Sequence, residues 1–121
     1  MKTSNYLVAV LLTAAALGQS PVWAHAALVN AEPANNAILA TSPTAITLHF
    51  TEKLERNFSS IKVMDAAGQA VTKQKAALDV ADPQILHVAL PALQGGKYSV
   101  QWVAIGHDGH RRTGDYTFSV K

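Results

Sequence analysis

Apolar and polar residues alternate in short runs along most of this chain. In "TAITLHFTE" Ile46, Leu48 and Phe50 share one face, while Thr47, His49 and Thr51 share the other. That period of two predicts a half-buried strand with His49 on its polar side. "SSIKVMDAAGQAV" predicts a second strand closed by an Ala-Gly turn, and "QILHVALP" a third ended by Pro91. "GGKYSVQWVAI" gives a fourth, and "GDYTFSVK" a fifth with Tyr116, Phe118 and Val120 facing inward. Ahead of them, "HAALVNAEPANNAILATSP" supplies a short strand at Ala27 to Val29, then a proline-broken connection with one more short strand or turn. No helical period intervenes. Short strands at this spacing predict an all-β domain, a β-sandwich or Greek-key barrel.

The first residues break the pattern. "MKTSNYLVAVLLTAAALGQSPVWA" has a basic Lys2, an apolar stretch from Tyr6 to Leu17 and a polar region ending in Val22-Trp23-Ala24. This is the order of a secretory signal peptide over residues 1–24. A membrane-spanning helix needs about 20 apolar residues, more than this stretch provides. Cleavage after Ala24 would leave a single exported domain, residues 25–121, beginning at His25.

Composition narrows what that domain does. Hydrophobic residues make up 49% of the 121, enough for a small core. Lys2 is one of ten Lys and Arg, so nine remain against eight Asp and Glu, and near-neutrality argues against a nucleic-acid groove. There is no cysteine, which removes both disulfides and thiolate-ligated zinc or iron–sulfur chemistry.

The remaining chemistry lies in five histidines. His87, between Leu86 and Val88, reads as solvated surface, and His49 alone would read the same way. "GHDGH" is denser. An extended backbone there would send Asp108 and His110 to one side and His107 to the other, with Gly106 and Gly109 supplying backbone freedom. His107 is the bystander of the three, available as an alternative ligand. His25 is the sharpest signal, because cleavage gives it a free α-amine beside its imidazole. Amine and ring Nδ1 can close a chelate on one metal, and an amine pKa of about 7.7–8.0 lets a polarising cation displace its proton near neutral pH. The resulting donor set is an amine, two or three imidazoles and a carboxylate. Such nitrogen-rich tetragonal sites favour Cu(II), with zinc the competitor. Cu(I) prefers soft sulfur, and past the leader the only sulfur is Met64, within a strand.

Those residues carry a resemblance. "HAALVNAEPANNA", "ITLHFTEKLERNFSSIKVMDAAGQAV" and "YSVQWVAIGHDGHRRTGDYTFSV", which together span most of the exported domain, resemble the CopC family of periplasmic copper-binding proteins. The resemblance implies a Greek-key β-barrel of about seven strands, cupredoxin- or immunoglobulin-like, that binds copper in the periplasm for resistance or uptake. It implies His25, His49, Asp108 and His110 as Cu(II) ligands. By analogy it implies an inner-membrane copper transporter of the CopD type as partner. Two departures stand out. The segment 66–85 has no methionine, so the methionine-rich Cu(I) loop of some members is missing. His107 and Arg111-Arg112 replace a small residue and a proline-containing turn, and two cations there repel a metal slightly through solvent.

Three functions compete. The first is a non-catalytic Cu(II) carrier or buffer. The second is a copper-dependent oxidative enzyme, since an amino-terminal histidine brace also serves lytic polysaccharide monooxygenases. Against it, the domain is small for a broad substrate face, and the extra donors would fill positions an oxygen-activating copper needs open. The third is a plain β-sandwich interaction module with incidental histidines. Hydrolysis has no support, because no nucleophile-elbow pattern accompanies the Asp-x-His pair.

Overall fold

The computed structural model describes residues 26–121. Eight strands follow one another: β1 (Leu28–Glu32), β2 (Ile38–Leu39), β3 (Ala45–Phe50), β4 (Ser60–Met64), β5 (Ala77–Leu78), β6 (Ile85–Ala89), β7 (Gly96–Ile105) and β8 (Arg111–Val120). They form two four-stranded sheets, ordered β1-β3-β6-β5 and β2-β8-β7-β4. Pairing is antiparallel except where the two-residue β2 runs parallel to β8. No helix forms among the described residues. The β-sandwich expected from the strand spacing is the architecture found.

The alternation explains the core. Ile46, Leu48 and Phe50 of β3 face Trp102, Val100 and Tyr98 of β7 and Phe118 of β8 in one buried cluster, joined by Leu86 and Val88 of β6 and Ile61 and Val63 of β4. Phe50 meets Trp102 edge to face with ring centroids 5.1 Å apart, and Tyr98 stacks on Phe118 at 5.5 Å. Each such pair adds about 0.5–1.5 kcal/mol beyond its burial. Gly114, opposite Trp102 in the ladder, lets the indole lie flat across β8, where any Cβ would collide with the ring.

The strands differ from expectation in two places. β5 is an eighth element inside "KQKAALDV"; two residues carry no legible alternation, and only its pairing with Leu86 and His87 makes it a strand. β8 begins at Arg111 rather than Gly114, because the β7–β8 hairpin keeps its ladder as far as Ile105↔Arg111. The polar turn is therefore "GHDGH" itself, and Arg111-Arg112-Thr113 is strand.

Tyr116 is the polar anomaly of the core. Its hydroxyl is buried with no hydrogen-bond partner among the described residues, and burial pushes its pKa up from 10.0 to about 12. The unfolded chain therefore loses this proton before the folded one, so stability falls as pH rises from about 10 to about 12. Removing the orphaned hydroxyl removes both penalties. Tyr116→Phe is expected to stabilise the fold by about 1 kcal/mol near neutral pH, with a larger advantage at alkaline pH. Urea midpoints measured at pH 7 and pH 11 check this.

Candidate metal centre

One end of the sandwich is stitched from three segments. The chain enters at Ala26, which is buried, and Ala27 donates its N–H to Thr51 Oγ1 at 2.9 Å while Thr51 N–H returns to the Ala27 carbonyl, also at 2.9 Å. Beyond Thr51 the chain bridges to the β7–β8 turn. Leu54 pairs with Gly106, Glu55 N–H donates to the Ile105 carbonyl at 2.7 Å, and His107 N–H to the Lys53 carbonyl at 3.2 Å. The entry of the chain, the segment after β3 and the turn holding Asp108 and His110 thus share one edge-to-edge framework.

Within the turn, Asp108 and His110 do come together, though not by strand alternation. The backbone folds at Gly109, whose φ of 80° lies in the left-handed region, and Gly109 N–H donates to the Gly106 carbonyl at 2.9 Å. Asp108 then grips His110 twice: Oδ1 accepts the His110 N–H at 3.0 Å, and Oδ2 lies 3.0 Å from ring Nδ1. A carboxylate at Nδ1 fixes the ring and leaves Nε2 as the nitrogen that would meet a metal, the usual orientation of a carboxylate–histidine–metal relay. His107 turns elsewhere, with its Nδ1 3.2 Å from Glu55 Oε1.

A residue that sequence reasoning missed completes the setting. Glu52 Oε1 is buried with no hydrogen-bond partner among the described residues. It sits in contact with the position that a Gly106 Cβ would occupy, and Asp108 Oδ1 lies 3.0 Å from the same point. Two carboxylates therefore converge over a glycine that leaves them room. A buried carboxylate oxygen without a donor is costly unless a proton or cation joins it. Two carboxylates and an oriented imidazole are donor types that a divalent metal accepts, although these three side chains alone do not close into a metal cluster. The signal was present in the sequence, since continuing the alternation of Ile46, Leu48 and Phe50 by one step puts an acid on the core-facing side. Gly106→Ala should drive the carboxylates apart and lower copper affinity on the order of tenfold, read by competition with a chelator of known strength.

The other two assigned ligands stand differently. His49 lies on β3 beside Asn30 and Ile85, half-buried, on the opposite parity from the core residues. Among the described residues no three His, Asp or Glu side chains gather into a metal cluster, so His49 does not join Asp108 and His110 in one. His25 and the leader expected at residues 1–24 lie outside the described residues; in sequence His25 directly precedes the buried Ala26. Among those described, no helix is long and apolar enough to cross a membrane.

The described domain is thus an all-β sandwich with an oriented Asp–His pair and a buried acid at the end where the chain enters. A model of the CopC domain matches residues 28–121. The Escherichia coli K12 protein named Protein YobA is 38% identical over 99% of this chain and 96% of its own length. Copper resistance protein C of Pseudomonas syringae pv. tomato is 36% identical over 92% of both chains. The crystal structure of CopC from Methylosinus trichosporium OB3b superposes with a TM-score of 0.76 at 33% identity, covering 80% of this chain and 94% of that one. The chain belongs to the CopC family.

Proposed function

We infer that the protein binds copper and serves copper resistance, holding the ion as a non-catalytic carrier or buffer. The observation that carries this is the Asp108–His110 pair beside the orphaned Glu52 carboxylate, at the end where the chain enters the sandwich. The copper resistance role named for the Pseudomonas syringae relative supports the same reading. It does not favour the oxidative-enzyme alternative.

The ion in this proposal is Cu(II). His25, freed by removal of residues 1–24, supplies its amine and ring Nδ1, and His110 supplies Nε2. Asp108 orients the His110 ring, and Glu52 and Asp108 balance the charge. His49 is the fourth proposed donor, three residues ahead of Glu52 on the same chain segment. The described domain offers Met64 as its only sulfur, which gives Cu(I) little to hold it. The proposal sets this work in the periplasm, in keeping with the leader read at residues 1–24, and takes as partner, by family analogy, an inner-membrane transporter of the CopD type.

EPR of the protein processed after Ala24, with one equivalent of Cu(II), tests the assignment. A tetragonal spectrum with nitrogen hyperfine structure is expected, altered by His110→Ala, by His25→Ala and by His49→Ala. An unchanged spectrum in the His25→Ala, His110→Ala double variant would overturn the site.

A further inference from the structure

The second feature of interest lies at the open edge of β4. β4 ends its sheet, with β7 on one side and no strand on the other. Its distal half is covered there. Val71 N–H donates to the Val63 carbonyl at 2.8 Å, and Val63 N–H donates to Thr72 Oγ1 at 3.5 Å. Main-chain groups in an antiparallel strand alternate between its two neighbours, so Ile61, two residues before Val63, turns its N–H and C=O to the same outer edge. Among the described residues nothing takes up either group across that edge. One rung of the ladder is left open.

That rung floors a groove of about 630 Å³ between residues 56–61 and 74–76. Arg56 and Lys75 line it, and no carboxylate does so among the described residues. Phe58, also in the lining, is 67% exposed. Lys62 on the strand and Lys73 on the covering segment add positive charge nearby. Cations on an edge strand often serve only to prevent self-pairing. That role does not account for an exposed phenyl ring and an open rung sharing one concavity with them.

We propose that this groove receives an extended acidic segment of a partner protein, which adds to β4 as a strand. Main-chain groups of the segment pair with Ile61, alternate carboxylates meet Arg56 and Lys75, and an apolar side chain covers Phe58. A second copy of this chain fits poorly, because β4 against β4 would set these cations against one another. A bilayer presents no main chain to a single rung at the base of a concavity. The proposal is independent of the copper assignment.

The probe is a capped hexapeptide of alternating glutamate and valine, titrated into ¹⁵N-labelled protein. The expected result is a shift of the Ile61 amide and hydrogen exchange at that amide slowed about tenfold or more at saturation. Added salt should weaken binding. The R56E/K75E protein should lose it while keeping its urea midpoint and copper affinity. The proposal is overturned by no binding at millimolar peptide, by binding that leaves Ile61 unchanged, by equal binding of the peptide with lysine in place of glutamate, or by self-association through this edge. Preference for phosphatidylglycerol-containing vesicles over the peptide would overturn it in favour of a lipid surface.

Discussion

Acetylating the α-amine of His25 in the processed protein is expected to lower Cu(II) affinity at least about a hundredfold, beyond the loss that removing an outer-sphere partner usually causes. The proposed site asks one residue for two donors. An amine of ordinary pKa near 8 gives up its proton to Cu(II) at neutral pH, whereas an acetylated nitrogen has its lone pair delocalised into the carbonyl and no anchoring amine beside it to help it deprotonate. The chelate then opens, and the ring of His25 must bind alone. Acetylation is the appropriate block, because adding one or two residues would build a new chelate from the added amine and intervening amides. Competition against a chelator, followed by visible absorption, gives the ratio of affinities. Equal affinity for the blocked and free forms would remove the His25 amine from the site and leave His49, Asp108, His110 and Glu52 without the proposed chelate.

How much of this could be read from residues alone depended on the range of the interaction. Strand alternation is local, so the core positions of β3 and β8 are legible, Ile46, Leu48, Phe50, Tyr116, Phe118 and Val120 among them. The pairing of Asp108 with His110 was also legible, but for a mistaken reason: a turn at Gly109 brings them together, not an extended backbone. What was hidden depends on contacts distant in sequence. β5 exists only through β6, and the early start of β8 only through β7. Glu52 acquires meaning only once Gly106, more than fifty positions away, leaves its carboxylate a pocket without a donor. His49 illustrates the converse. Its polar parity on β3 was read correctly, yet parity alone says nothing of which residues from another sheet lie near it.

Phe50→Ala should show how tightly the scaffold and the site are coupled. Phe50 is 1% exposed, packs edge to face on Trp102 and donates its N–H to the Gln84 carbonyl at 2.9 Å. Glu52 follows two residues later and Thr51, which holds the entering chain, directly after it. Truncating a fully buried phenylalanine costs about 3–5 kcal/mol in transfer energy and cavity. A domain of this size holds about 5–15 kcal/mol in total, so the metal-free variant should stay folded with a strongly lowered urea midpoint. Copper opposes that loss because only the folded chain assembles the donors. At a free concentration a thousand times Kd the ion adds about 4 kcal/mol, nearly restoring the midpoint. The expected result is therefore a large midpoint difference between wild type and variant without copper, and a copper-induced rise of similar size in both. Trp102 fluorescence follows the unfolding. A variant that unfolds early and gains nothing from copper would mean that the cavity at Phe50 reaches Thr51 and Glu52 and dismantles the site.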